Sequence, residues 1–147
     1  MKKVTIYTDG ACSGNPGAGG WGAILIYNGK EKEISGGEAN TTNNRMELLA
    51  VISALKILKE PCEVDLYSDS QYVVGAFLNK WIQSWRQNGW RTAGKTEVKN
   101  IDLWENLLEI MERHDVHFIK VKGHADNTYN NRCDKLAREE CKRFLSD

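Results

Sequence analysis

Val4-Thr5-Ile6-Tyr7-Thr8-Asp9-Gly10 is echoed sixty residues on by Val64-Asp65-Leu66-Tyr67-Ser68-Asp69-Ser70, and this pair decides the fold. Both stretches alternate apolar and polar residues, as half-buried strands do. Each ends on an acid where the strand gives way to a loop. Helical patterns separate the two, and a right-handed crossover makes such strands parallel. As parallel neighbours they put Asp9 and Asp69 side by side at their carboxyl ends, the edge where open α/β sheets bind ligands.

The remaining elements follow outward from this pair. Val4–Asp9 is the first strand. Trp21–Tyr27 is apolar and β-prone, and Lys30–Gly36 alternates again. Asn28-Gly29 between them is a strong hairpin turn signal. Ser13–Gly22 reads as a glycine-rich loop. The spacing of Val51, Leu55 and Leu58 predicts a helix over Thr42–Leu58, capped by Thr42 or Asn43 and followed by Pro61. Glu63–Ser68 is the fourth strand. Ser70–Leu78 and Lys80–Arg86 read as short helices, Asp102–Arg113 as a longer one, Val116–Val121 as the fifth strand and Asn130–Leu145 as the last helix. The order β-β-β-α-β-α-α-α-β-α predicts an α/β fold. Its five-stranded mixed sheet has strands 1–3 antiparallel and strands 1, 4 and 5 parallel, flanked by helices.

A chain of 147 residues fits one domain spanning 1–147. No apolar run approaches the roughly 18 residues of a membrane span. The N-terminus, alternating and running into Asp9, does not have the pattern of a signal peptide, so the expected location is the cytoplasm. The four cysteines, Cys12, Cys62, Cys133 and Cys141, have no C-x-x-C spacing. This disfavours structural zinc and points to free thiols in a reducing compartment. The 20 basic and 20 acidic residues balance. That average hides a basic segment: between Lys80 and Lys99 lie five cations (Lys80, Arg86, Arg91, Lys95, Lys99) and one acid, Glu97. A nucleic-acid partner needs such a local patch rather than a basic total.

Two helices repeat the acidic theme. Glu47 shares a face with Val51, Ala54 and Leu58, and Asp134 shares one with Ala137, Cys141 and Leu145. Each is a carboxylate on an otherwise core-facing stripe. Alone, either reads equally well as a solvated acid near a helix end. Clustered carboxylates repel one another and take up protons unless a cation neutralises them. Hard oxygen ligands suit Mg²⁺ or Mn²⁺. Two such ions activate water and stabilise a leaving oxygen in phosphodiester hydrolysis. Asp9, on the expected central strand, is the natural bridging ligand.

The motifs Tyr7-Thr8-Asp9-Gly10-Ala11-Cys12, Thr41-Thr42-Asn43-Asn44-Arg45-Met46-Glu47-Leu48, Tyr67-Ser68-Asp69-Ser70-Gln71-Tyr72, Val121-Lys122-Gly123-His124 and Asn131-Arg132-Cys133-Asp134 resemble bacterial ribonuclease HI, in that family's order and over essentially the whole chain. The resemblance implies the ribonuclease H-like fold. It also implies Mg²⁺-dependent endonuclease activity on RNA paired to DNA, leaving a 5′-phosphate and a 3′-hydroxyl. Its four catalytic acids fall on Asp9, Glu47, Asp69 and Asp134. Its mobile-loop histidine falls on His124, suited to shuttling a proton or helping product leave. His114 and His117 have no comparable context.

By the same resemblance Cys12, Asn15, Asn43, Asn44 and Gln71 line the minor groove on the RNA side, where the 2′-OH distinguishes the strands. Asn15 is also a plain turn residue, and Asn43 a helix cap. Thr42 and Asn100 match a pocket for one phosphate of the DNA strand. Asn40 stands where that pocket usually has an arginine, which predicts weaker anchoring unless another cation substitutes. The segment at about 80–99 matches a basic handle, in which Trp81, Trp85 and Trp90 accompany Arg86, Arg91 and Lys95. The tryptophans also fit a core role. Phosphate contacts of this kind carry little sequence specificity. The expected partner is an RNA–DNA hybrid, bound by a monomer with no membrane association. The alternatives are another nuclease of the ribonuclease H-like superfamily and a non-catalytic hybrid-binding module.

Overall fold

The computed structural model describes residues 1–121 and 127–145. Ten elements follow in the expected order: β1 (Lys2–Cys12), β2 (Gly17–Tyr27), β3 (Lys30–Thr41), α1 (Asn43–Ile57), β4 (Cys62–Ser68), α2 (Gln71–Leu78), α3 (Trp81–Gln87), α4 (Ile101–Met111), β5 (Asp115–Lys120) and α5 (Thr128–Arg143). The sheet order is β3-β2-β1-β4-β5. β1 therefore occupies the centre. It runs antiparallel to β2 and parallel to β4, and β4 runs parallel to β5.

Alternation along β1 sends Val4, Ile6 and Thr8 inward to full burial. Val4 and Ile6 share one core with Val64 and Leu66 of β4 and with Leu48, Val51, Ile52 and Leu55 of α1, which packs on β1. Trp104 of α4 is fully buried in the same core. α5 lies across the opposite face of β1, β2 and β3. There its Cys133, Ala137 and Cys141 are buried. The β2–β3 turn at Asn28 and Gly29 has positive φ at both positions, 51° and 77°, as a two-residue hairpin of matching twist requires.

Two local expectations are corrected. Gly17–Gly22 is not loop but the first half of β2, paired with β1 from Gly19 onward. A β-carbon at Gly20 would lie 2.6 Å from the Cys141 amide nitrogen and 2.8 Å from Glu140 Cβ. The glycines thus let α5 press directly on the sheet backbone. β3 likewise runs on to Thr41, because its ladder with β2 continues past a register irregularity at Gly17/Gly19.

Candidate active site and nucleic-acid interface

The β1–β4 register pairs Tyr7 with Tyr67, and the two rings stack at 4.7 Å. Asp9 and Asp69 each lie two residues beyond that pair, past the end of the β1–β4 ladder. β4 stops at Ser68 as expected, whereas β1 does not give way to a loop at Asp9 but runs on to Cys12, paired with β2. α1 delivers the third acid. Thr42 is its N-cap, with Oγ1 accepting from the Arg45 amide at 3.3 Å. Of the two residues expected to cap this helix, Thr42 is the one that does. Glu47 follows on the buried face, and its carboxylate meets those of Asp9 and Asp69. One oxygen from each of these three acids lies within 4.8 Å of the others. Asp134 on α5 stands outside that trio, half-buried and accepting from Arg138 Nε at 2.9 Å.

The electrostatics of this cluster are unfavourable as it stands. Asp9 is 5% exposed. Burial first, and then the charges of Asp69 and Asp134, push its pKa up to about 8, despite a hydrogen bond from the Gly10 amide. Glu47, also 5% exposed, is raised well above the ordinary carboxylate range by burial and then by Asp9 and Asp69. Its Oε1 is buried and finds no hydrogen-bond partner among the described residues. Beside them, burial and then the Asp9 charge push the Cys133 thiol up to about 12. A buried carboxylate oxygen without a donor, in a set of hard oxygen ligands, fits a divalent cation such as Mg²⁺ or Mn²⁺. The same donor set is a poor match for softer metals.

Several of the other sequence-selected residues are gathered at the start of α1 and beside Asn100. Cys12 ends β1, its thiol donating to Gly14 O at 2.6 Å. Asn15 Oδ1 accepts from the Asn43 amide at 3.0 Å, which ties the turn to the start of α1. Asn15, Thr42, Asn43, Asn44, Lys99 and Asn100 bound one cavity of about 350 Å³. Gln71, exposed at the start of α2, accepts from Lys120 Nζ. Asn40 is exposed near the end of β3 and does not line that cavity. His124 lies outside the described residues.

The segment after α2 splits into two kinds of residue. Trp81, Trp85 and Trp90 are half-buried and packed against the core. Trp85 meets Trp104 edge-on at 5.6 Å and Trp81 at 6.3 Å. Arg86, Arg91 and Lys95 are exposed. Arg91 pairs with Glu97 across a short bridge and donates to Lys95 O at 3.3 Å. The tryptophans therefore root the arm while the cations face solvent. Sequence reasoning assigned no role to Arg45 or Tyr72, and counted Lys99 only as a cation of the basic segment. Arg45 and Tyr72 stand inside quoted motifs, but their contacts with Asn100 join residues 55 and 28 positions apart, which no local pattern reveals.

The cluster of Asp9, Glu47 and Asp69 at the end of the β1–β4 ladder fits the class of metal-dependent nucleases. The comparisons with known proteins agree. The family model for RNase H matches residues 1–142. The chain is 66% identical over 143 residues to a ribonuclease H of Acetivibrio thermocellus, covering 97% of each. It is 62% identical over 142 residues to one of Chlorobium chlorochromatii, again covering 97% of each. Among solved structures it resembles LC9-RNase H1, a type 1 RNase H with the type 2 active-site motif, at TM-score 0.86 and 28% identity over 99% of this chain and 74% of that one. It also resembles LC11-RNase H1, solved in complex with an RNA/DNA hybrid, at TM-score 0.70 and 28% identity over 97% and 99%. The chain belongs to the ribonuclease H family and is a ribonuclease H enzyme.

Proposed function

We propose that this protein hydrolyses the RNA strand of RNA–DNA hybrids endonucleolytically, leaving a 5′-phosphate and a 3′-hydroxyl, with Asp9, Glu47, Asp69 and Asp134 as its metal-holding catalytic acids. The observation that carries this reading is the convergence of Asp9, Glu47 and Asp69 within 4.8 Å, with one Glu47 oxygen lacking a donor among the described residues. The ion is Mg²⁺, two of them when hybrid is bound, with Mn²⁺ as a substitute. When bound, such ions supply activation of water and stabilisation of the leaving oxygen. Asp9 from the central strand, with Glu47 and Asp69, would hold them, and Asp134 would complete the set from α5. His124, by resemblance, would move a proton to the departing oxygen or help product leave.

Cys12, Asn15, Asn43, Asn44 and Gln71 read the RNA strand through its 2′-hydroxyls. Thr42 and Asn100 hold a phosphate of the DNA strand, with the start of α1 adding its dipole to an anion site. The handle at about 80–99 grips the DNA backbone through Arg86, Arg91 and Lys95 on the base formed by Trp81, Trp85 and Trp90. These are contacts without base readout, so sequence specificity is low. The chain works as a single-domain monomer in the cytoplasm. The four cysteines are free, which suits that reducing compartment.

A cleavage assay on RNA–DNA hybrid, double-stranded RNA and double-stranded DNA, with and without chelator, tests the reading. The expected result is cleavage of the RNA strand in the hybrid alone, abolished by chelator. Equal cleavage of all three duplexes would overturn it, as would chelator-resistant activity.

A further inference from the structure

The side chain of Asn100 is clamped at both ends of its amide. Arg45 Nη1 donates to its Oδ1 at 3.1 Å. Arg45 is itself fixed by Asp102 on α4, through Nη1 to Oδ1 at 3.1 Å and Nη2 to Oδ2 at 2.9 Å. At the other end, Asn100 Nδ2 donates to Tyr72 Oη at 3.1 Å. Tyr72 Oη also accepts from Trp104 Nε1 at 3.0 Å and gives its own proton to Lys99 O at 3.4 Å.

This arrangement admits one orientation of the amide. A guanidinium has donors only, so the atom facing Arg45 must be an acceptor. Tyr72 has a single proton, and Lys99 O takes it. Indole nitrogen is a donor only, so the Tyr72 oxygen meets Trp104 as an acceptor. A flipped Asn100 would press NH₂ against the guanidinium and set its oxygen against a hydroxyl with no proton to give. Two independent constraints therefore commit the carbonyl to Arg45 and leave the second Nδ2 hydrogen unclaimed by these contacts, on a residue that lines the cavity with Thr42. A phosphate oxygen needs a donor there. The opposite orientation would present it with a repelling carbonyl.

We infer that Arg45 and Tyr72 are positioning residues for hybrid binding, which lock the Asn100 amide with its NH₂ toward the DNA-strand phosphate. This rests on the proposed phosphate role of the cavity formed by Thr42 and Asn100. The lock deepens that reading, because the arginine expected at Asn40 is missing and the orientation of a neutral donor matters more. Arg45 does not replace that arginine as a phosphate ligand. Its charge is engaged by Asp102, and it acts through Asn100.

The test uses hybrids in which single phosphates of the DNA strand are replaced, one at a time, by neutral methylphosphonates. In the wild-type protein one position should weaken binding by about tenfold, the worth of a charge-assisted hydrogen bond. In Arg45→Met and in Tyr72→Phe that positional penalty should shrink to about twofold. KM for unmodified hybrid should rise by a larger factor than kcat falls. Tyr72→Phe keeps the ring against Trp104, so it guards against loss of fold in the Arg45 variant. Asn100→Asp should bind worse than either. If both variants retain the full positional penalty, the lock is wrong while the pocket stands. If no position carries a penalty in the wild-type protein, the pocket itself is wrong, and the lock falls with it.

Discussion

Removing the charge of Asp9 should stabilise the metal-free protein while abolishing its activity. Unfolded, Asp9 ionises near the ordinary 3.8, whereas in the fold its pKa is pushed up to about 8. Between those values the folded state holds a proton that the unfolded state has released. Stability is therefore fully present below pH 3.8 and drains away as pH rises toward about 8. At about 1.4 kcal/mol per pH unit, the site costs the metal-free protein about 4 kcal/mol at pH 7. The amide introduced by Asp9→Asn would remain a buried polar group, and Glu47 would still be crowded by Asp69 and Asp134. Half the penalty, about 2 kcal/mol, should therefore be recovered in that variant. With a urea m-value of about 2 kcal/mol/M, the unfolding midpoint in chelator should rise by about 1 M at pH 7. At pH 3.5 the variant and wild type should coincide, because both lack the charge. Added Mg²⁺ should close the gap at pH 7 by stabilising the wild type alone. A variant no more stable than wild type at pH 7 in chelator, or a gain of equal size at pH 3.5, would refute the reasoning.

Glu47→Gln keeps the size of a buried side chain but removes its charge. Single-turnover cleavage should fall by more than the roughly 10–100-fold typical of changes outside the ligand set, with circular dichroism unchanged. Retained cleavage would remove Glu47 from the catalytic set. Neutralising Arg91 or Lys95, both exposed on the arm, should weaken hybrid binding and flatten its log–log salt dependence by about one. An unchanged slope would exclude that residue from the footprint. Gly20→Ala would drive a β-carbon into Cys141 N and Glu140 Cβ on α5. It should destabilise the fold by about 1–3 kcal/mol in urea unfolding, and a neutral result would mean α5 does not bear on the strand as described.

The element order was legible because alternation, helical spacing and caps are local signals. The pairing of Asp9 with Asp69 was legible for the same reason, since two like strands separated by a crossover leave little choice of register. The glycine-rich stretch at 17–22 misled because glycine weakens a strand by local rules. Only α5, more than a hundred residues away, explains why the segment pairs at all. The handle tryptophans were ambiguous in sequence, and the structure gives their rings a core contact while leaving them partly exposed. The Arg45–Asn100–Tyr72 clamp had no local signature. It depends on α1, α2 and the left-handed Asn100 at the start of α4, φ 64°, meeting at one point.

Bringing Asp9, Glu47 and Asp69 together, within reach of the Asp134 charge, requires forces that do not come from the carboxylates. The close contacts at glycine supply them. A β-carbon at Gly10 would sit 2.6 Å from the Glu47 amide nitrogen and 2.8 Å from the Met46 carbonyl carbon. The first turn of α1 therefore rests on the backbone immediately after Asp9, held there by the burial of Met46, Leu48, Val51 and Leu55. Gly20 does the same for α5, whose Cys133, Ala137 and Cys141 are buried on the other face. Each helix that carries an acid is drawn against the sheet by apolar burial over several turns, at about 25 cal/mol per Å². The repulsion among the acids acts only at one end of each helix. The fold thus holds Asp9 and Glu47 in an environment that raises the pKa of both. That stored repulsion is what a bound cation relieves, which is why the same residues that weaken the metal-free protein should bind the metal tightly.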